Sequence, residues 1–355
     1  MNISVLVPVY NEELFIEPLF KALANQKDIS RENMEIIVVD GNSTDDTLQK
    51  LRELDEKNSE FNLKILHNPK RYISSALNIG LKESSGKYII RIDVHSTISK
   101  DYISRIYNQL AEHSTEYCNF GGRTNAKGYD EKSIIVSKAL SSRWVLGGAH
   151  FRFSKKRMEV DTLFPGAWLR EDLLKVGGWN EHWLINEDVE LNCRLRKITN
   201  KKIIMDPTIV VDYFPRNKLK KLAKQYFNYG YWRIKTAVKH EESIRVPHLV
   251  PLFSLLTLLS FLLLAVIDMK AAIALLLSMA FFYSLYLVIL ASRIFEKKEI
   301  LIGIAAIFII QFTWILGAFK GYLIFGIPLK GYYLLFKRII AGEQKVDSKR
   351  FSWNK

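Results

Sequence analysis

From its N-terminus the chain alternates short, nearly continuous apolar runs with stretches whose apolar residues recur every three to four positions. Ser4–Val9 is a β-branched run containing Pro8, and Glu35–Asp40 encloses Ile36, Ile37, Val38 and Val39. Leu63–Leu66 and Tyr88–Ile92 repeat the pattern. Between these runs, Ile16–Gln26 and Ser74–Glu83 have helical spacing. A further helix is expected from about Thr44, with Ser43 as its cap and an acidic residue, Asp46, three positions on. Continuous apolar strands alternating with helices predict an α/β unit whose mostly parallel sheet is covered on both faces. Ligands of such sheets bind beyond the carboxyl ends of the strands. That rule singles out Tyr10, Asn11, Glu12, Asp40, Asp93 and His95.

The pattern changes beyond Arg245. Leu249–Ile267, Ala271–Ser292 and Ile300–Phe319 are apolar runs of about the twenty residues a membrane span requires, and three in succession predict a membrane segment. Tyr322–Phe336, with Pro328 and Lys330, is short for a span and reads as a possible fourth or as an interfacial return. In the joining stretch, Leu219, Leu222, Ala223, Tyr226 and Phe227 share a helical face, with Lys218, Lys220, Lys221 and Lys224 between them. Such a helix lies on an anionic leaflet or packs on the soluble domain with a solvated basic face. Basic residues before the first span favour a cytoplasmic N-terminal unit. Three spans, however, would leave Lys330, Lys337, Arg338 and the basic tail outside, against the same rule.

Composition adds three points. The 355 residues carry a formal net charge of +14, which favours an anionic partner: a phospholipid surface, a nucleotide or a nucleic acid. The two cysteines, Cys118 and Cys193, lack zinc-site spacing and are too few for a disulfide framework, so a reducing compartment is expected. The first residues, Met1-Asn2-Ile3-Ser4, do not read as a secretory signal.

The chemistry-bearing residues gather at strand ends. Val7-Pro8-Val9-Tyr10-Asn11-Glu12-Glu13 closes the first strand and Val38-Val39-Asp40-Gly41-Asn42-Ser43 the second. An aromatic ring beside a carboxylate grips a flat base by stacking and by accepting a ring N–H; the alternative for Asp40 is a turn cap. Glu187 and Asp188 open a helix, where acidic residues also serve as plain dipole partners. Trp168 and Trp179 suit either ligand stacking or core packing, and Arg123 follows another strand, within reach of a ligand there.

Taken in order, these motifs resemble glycosyltransferase family 2, the inverting enzymes with a GT-A nucleotide-sugar-binding domain, over roughly residues 2–215. The likeness continues through Asn68-Pro69-Lys70-Arg71, Ala76-Leu77-Asn78-Ile79-Gly80 and Arg91-Ile92-Asp93-Val94-His95. It implies that Pro8, Tyr10, Glu12, Asp40, Arg71, Asn78 and Asp93 bind the donor, a UDP-sugar by expectation. The family's Asp-x-Asp motif holds a divalent cation, Mn2+ or Mg2+, on the donor diphosphate, where it neutralises the leaving group as a Lewis acid. Here His95 replaces the second Asp, which suits Mn2+ better than Mg2+. The likeness makes Asp188 the catalytic base, with Glu187 orienting base or acceptor.

Within the family, the chain is most similar to bacterial exopolysaccharide transferases of the succinoglycan type. Gln225-Tyr226-Phe227-Asn228-Tyr229-Gly230-Tyr231-Trp232-Arg233 departs from the Gln-x-x-Arg-Trp motif of processive synthases. The expected organisation is a catalytic domain over 1–215, interfacial linker helices over 216–247, membrane helices over 248–340 and a basic tail over 341–355. The expected activity is sugar transfer to a polyprenyl-diphosphate-linked saccharide at the cytoplasmic face of the plasma membrane, by a multi-pass protein. The alternatives are a transferase using polyprenyl phosphate itself, and a non-catalytic binder of anionic lipid or nucleic acid. Ordered carboxylates at strand ends speak against the last, and no nucleic-acid partner is expected.

Overall fold

The computed structural model describes residues 2–57, 62–147, 152, 154–215 and 217–342. The chain divides into two compact units, one of Met1–Asn125 with Phe151–Tyr213, the other of Ala126–His150 with Phe214–Lys355. Segment 126–150, expected in the catalytic domain, therefore groups with the C-terminal helices.

The first unit is built on a nine-stranded sheet. Its elements run β1 (Ile3–Val9), α1 (Ile16–Ala24), β2 (Met34–Asp40), α2 (Thr47–Lys57), β3 (Asn62–His67), α3 (Ile73–Glu83), β4 (Tyr88–Arg91), β5 (Ser96–Ile98), α4 (Tyr102–His113) and β6 (Tyr117–Ala126). In the second unit come α5 (Glu131–Leu140) and α6 (Arg143–Leu146). The first then resumes with β7 (Met158–Glu159), β8 (Ala167–Leu169), α7 (Arg170–Lys175), α8 (Glu187–Thr199) and β9 (Lys202–Tyr213).

The strand order is β3-β2-β1-β4-β8-β6-β9-β5, with β7 on β9. The half read from the sequence, β1 to β4, is parallel, as helical crossovers require. Beyond it the sheet turns antiparallel, β8 against β4 and β6, and β5 and β7 against β9. The sheet is therefore mixed: the later strands lack the regular alternation that marks a parallel repeat.

Two-residue periodicity divides the core. Val5, Val7, Ile36 and Val38 face one cluster with α1 and α4. Leu6, Ile37 and Val39 face another, with α3 and α8. Pro8 sits in a central strand without cost. The β1–β4 ladder ends at Leu6↔Arg91, and Pro8, sharing the parity of Leu6, points its nitrogen beyond the last bond. The second helix begins at Thr47 rather than near Thr44, because Ser43 is drawn into a turn around Asp40 and Asp45 accepts from the Thr47 N–H instead.

The second unit continues with α9 (Leu219–Lys239), α10 (Leu249–Ile267), α11 (Met269–Ile294), α12 (Ile300–Phe325) and α13 (Leu329–Ile340). Helices α10, α11 and α12, with short flanking turns, are long and apolar enough to cross a membrane. The apolar face of α9, expected against lipid or the soluble domain, is covered by α12 instead. A Cβ on Gly230 would fall 2.0 Å from the Trp314 carbonyl oxygen, and one on Gly317 would fall 1.9 Å from that of Phe227. Glycine at both positions lets the two backbones touch, a packing that a helical-spacing argument does not anticipate.

Candidate active site

The sheet ends in a concentration of charge. Arg91, the last residue of β4, is almost completely buried, with its guanidinium 4.6 Å from the centre of the Phe164 ring. Its Nε donates to Asp93 Oδ1 at 2.8 Å and one terminal N–H to Glu187 Oε1 at 3.0 Å. A buried cation is tolerable only when paired and hydrogen-bonded, and here two carboxylates do both. Burial alone would weaken the charge of Arg91, but Asp93 and Glu187 outweigh it and keep the guanidinium protonated.

The carboxylates arrive from separate elements. Asp93 follows β4 directly, whereas Glu187 and Asp188 form the first turn of α8, which starts after Asn186 in the left-handed conformation. Asp188 has no guanidinium of its own. Burial first, then the charge of Glu187, push its carboxyl up to about 7, against a weaker pull from Arg91. One cation thus faces three carboxylic groups, one of them poised to hold or release a proton near neutrality. Burial and the charge of Asp93 also keep the Tyr102 hydroxyl protonated above its usual range.

The loops after β1, β2 and β3 make the neighbouring surface. Asn11, at φ 54°, donates from its backbone to Ser43 Oγ and accepts from the Thr44 N–H, while the Glu12 N–H donates to Thr47 Oγ1. Tyr10 stays exposed and carries Arg71 5.7 Å from its ring centre. Glu12 reaches His95, Oε1 to Nδ1 at 3.5 Å. The sequence-predicted residues thus gather as Tyr10 with Arg71, Glu12 with His95, and Asp93 with Glu187. Pro8 supplies backbone at the end of β1.

Two of the predicted donor residues are otherwise engaged. Asp40 is buried, its Oδ2 accepting from the Asn42 and Ser43 N–H groups and its Oδ1 from the Ser43 hydroxyl. This is the turn-cap alternative. Asn78 exchanges two hydrogen bonds of 2.8 Å with the backbone of Trp179. It anchors the loop at Gly178, where φ is +68° and a Cβ would meet Asn78 Oδ1 at 2.5 Å. Trp168 and Trp179 pack edge to face in the core, 5.3 Å apart, and do not line a sugar-facing surface.

Arg91 belongs to the sequence motif around Asp93 without a role of its own there. The available signal was a lone cation in the otherwise apolar Tyr88–Ile92 strand. Arg123, singled out in the sequence, sits at a matching level of the sheet. Phe120 pairs with Ala167, and Ala167 with Ile90, so Arg123 lies as far beyond that level on β6 as Asp93 does beyond β4. Its Nε is buried without a hydrogen-bond partner.

The sequence model described as Glycosyl transferase family 2 matches residues 4–176. A dolichyl N-acetyl-α-D-glucosaminyl phosphate 3-β-D-2,3-diacetamido-2,3-dideoxy-β-D-glucuronosyltransferase of Methanococcus voltae is 30% identical over 64% of this chain and 71% of its own. The succinoglycan biosynthesis protein ExoA of Rhizobium meliloti is 30% identical over 70% of this chain and 74% of its own. Among solved structures, the mannosyltransferase PcManGT of Pyrobaculum calidifontis, in complex with GDP-Man and Mn2+, superposes with a TM-score of 0.60 at 17% identity. That match covers 91% of this chain and 87% of the other, and shows a common GT-A fold. With a charged strand edge of this kind and relatives of this extent, the chain is a glycosyltransferase and belongs to glycosyl transferase family 2.

Proposed function

We propose that this enzyme transfers a sugar, with inversion, from a nucleotide-sugar to a saccharide already carried on a lipid phosphate or diphosphate. The single observation that carries the reading is Asp188, a partly buried carboxyl beside Glu187 and Arg91 with its proton affinity raised to about 7. A general base works best when its pKa lies near the working pH. Asp188 takes the proton of the acceptor hydroxyl as that oxygen attacks the anomeric carbon. The bond from that carbon to the diphosphate oxygen breaks, and the nucleoside diphosphate leaves with the electron pair. Arg91 fixes Asp93 and Glu187 and prevents three carboxylates from repelling one another apart.

Asp93 and His95 are the residues we propose to hold a divalent cation. Arg91 Nε takes Asp93 Oδ1, whereas Oδ2 has only a contact of 3.5 Å to the guanidinium. The half-exposed imidazole of His95 adds a nitrogen donor acceptable to Mn2+. Bound there, the cation would neutralise charge on the donor diphosphate. Tyr10 and Arg71 offer a ring and a cation to the nucleotide, and Arg123 offers a partly buried guanidinium to a phosphate oxygen.

A UDP-sugar is the donor we favour, with a GDP-sugar as the alternative suggested by the Pyrobaculum structure. The name of the Methanococcus relative supports a lipid-phosphate-linked sugar as acceptor, and the Rhizobium one supports a role in cell-surface polysaccharide synthesis. The basic segments before α10 favour the cytoplasmic face of the plasma membrane. The test is nucleoside diphosphate release from a panel of UDP- and GDP-sugars by detergent-purified enzyme, with Mn2+ and lipid extract. One donor turned over by wild type and bound but not turned over by Asp188→Asn supports the reading. Absence of binding to every donor overturns it. Glycosylation of bare polyprenyl phosphate would move the acceptor to that lipid.

A further inference from the structure

The three long apolar helices of the second unit have different surroundings. Helices α10 and α11 form a hairpin around Asp268, whose carboxylate caps α11 by accepting from the Lys270 and Ala271 N–H groups. Their buried residues are Leu249 and Pro251 at the start of α10, Ala272 beside the turn, and Leu287, Leu290 and Ala291 near the end of α11. Helix α12 instead has protein against one face from Gly303 to Tyr322.

The contacts of α12 locate it. Gln311 bonds the hydroxyls of Tyr283 and Tyr286 at 3.1 and 3.2 Å, just past the middle of α11. Ala318 and Tyr322 pack with Leu255, in the second turn of α10. Tyr322 then bonds the Tyr332 hydroxyl at 2.6 Å, and Tyr332 donates to the carbonyl of His248, just before α10. The α10 leg is therefore met near its open end and the α11 leg in the half nearer that end. From Gln311 to Ala318 is about 10 Å along a helix, close to the 8–10 Å between two packed helices. A helix running beside the legs would cover them to the tip, but Leu262, Leu263, Val266, Met269 and Leu277 are exposed.

Both ends of α12 are also tied to polar segments on one side. Glu299, at its start, pairs with Lys138 of α5 at 2.8 Å. Segment 126–150, which contains α5, continues at both ends into strand-bearing chain of the first unit, so it shares that unit's side of a bilayer. Past the other end, Lys330 pairs with Glu241 at 2.8 Å and Arg338 donates to the Ile244 carbonyl at 3.1 Å. The central partner of α12 is α9, whose Lys220, Lys221, Lys224, Arg233, Lys235 and Lys239 exclude it from hydrocarbon.

We infer that α10 and α11 cross the membrane as a two-helix hairpin, and that α12 lies in the headgroup plane with its outer face on an anionic phospholipid leaflet. That outer face presents Leu301, Phe308, Phe312, Leu316 and Leu323. Lys320 lies 5.4 and 5.9 Å from the ring centres of Tyr231 and Phe227, the lysine-with-aromatics pairing of a membrane interface. The arrangement returns Lys330, Lys337 and Arg338 to the side of the basic α9 and removes the conflict with charge asymmetry that three spans create. It requires membrane insertion but no particular donor or acceptor, so activity assayed in the same membranes tests the transferase reading separately.

The experiment labels full-length single-site variants with a membrane-impermeant maleimide, before and after cells are permeabilised. Cys118 and Cys193 are buried and give low background. Lys270→Cys is expected to label in intact cells, and Lys298→Cys and Gly342→Cys only after permeabilisation. Labelling of Gly342→Cys in intact cells, with Lys298→Cys still protected, is the three-span result and overturns the inference. Should a variant fail to insert, unsubstituted protein fused at its C-terminus decides the point. Fluorescence of a reporter that matures only in the cytoplasm supports two spans, and alkaline phosphatase activity overturns them.

Discussion

Glu35 and Asp188 belong to the same unit, and the structure drives their proton affinities in opposite directions. Glu35 lies at the amino edge of the sheet, where burial would raise its pKa. Lys64, the Ser4 hydroxyl and the N–H and hydroxyl of Ser85 outweigh that and hold it at about 2. Asp188 lies at the carboxyl edge, where burial and Glu187 together exceed the pull of Arg91, and it rises to about 7. The difference separates a carboxylate whose charge its surroundings favour from one whose charge they oppose. A carboxylate held ionised by a nearby lysine secures one edge of the sheet, and a carboxyl pushed towards its neutral form at the other is available for proton transfer.

Asp188→Asn should lower turnover by roughly 10²–10⁴-fold, the usual contribution of a general base, with donor affinity retained. Turnover within tenfold of wild type would remove Asp188 from the base role. Glu35→Gln should cost about 2 kcal/mol of stability, leaving Lys64 without its charged partner, and should spare turnover. Thermal unfolding in micelles and the donor assay read the two quantities separately. A mutant inactive yet fully stable would reverse the roles of the two edges.

Tyr10→Ala should raise the donor KM about tenfold, as loss of one stacking contact does, with little change in kcat. A fall in kcat alone would detach Tyr10 from donor binding.

The pH dependence sharpens the contrast. Turnover should rise as pH increases through about 7, where Asp188 loses its proton. Glu187→Gln removes one raising influence but leaves burial, so that limb should move to lower pH and remain above the ordinary carboxylate range. Stability moves the other way for this group. The unfolded Asp ionises near its ordinary value while the folded one retains its proton to about 7, so the unfolded state binds fewer protons between those values. Stability falls as pH rises across that window and stays lower above it. Asp188→Asn should therefore be more stable than wild type at pH 8, by about 1 kcal/mol after allowance for screening. Glu35 behaves oppositely: its contribution is present above the ordinary value of 4.5 and is lost as pH falls through about 2.

Much of this was legible in the residues. Ile36 to Val39 cannot be other than a buried strand in a chain of this kind. Apolar runs near twenty residues announce membrane contact, and Tyr10, Asp93, Glu187 and Asp188 follow from a family pattern in which order and spacing matter. The local bonding of Asp40 and Asn78 was not legible. An acid after a strand reads the same whether or not it caps its own turn, and only the fold brings the Asn42 and Ser43 N–H groups onto Asp40.

The sequence by itself determined the alternation of the parallel half, the division into a polar and an apolar part, and which chemical groups stand at strand ends. These depend on local periodicity and composition, which each segment carries alone. Only the tertiary structure decided the antiparallel half of the sheet, the partners of Arg91 and the packing of α12 on α9. Arg91 is joined to Glu187 across 96 positions, and the apolar run of α12 does not announce the partners that Gly317, Gln311 and Glu299 meet. Such contacts join residues far apart in the chain, and the periodicity of one segment carries no information about the surface it will meet.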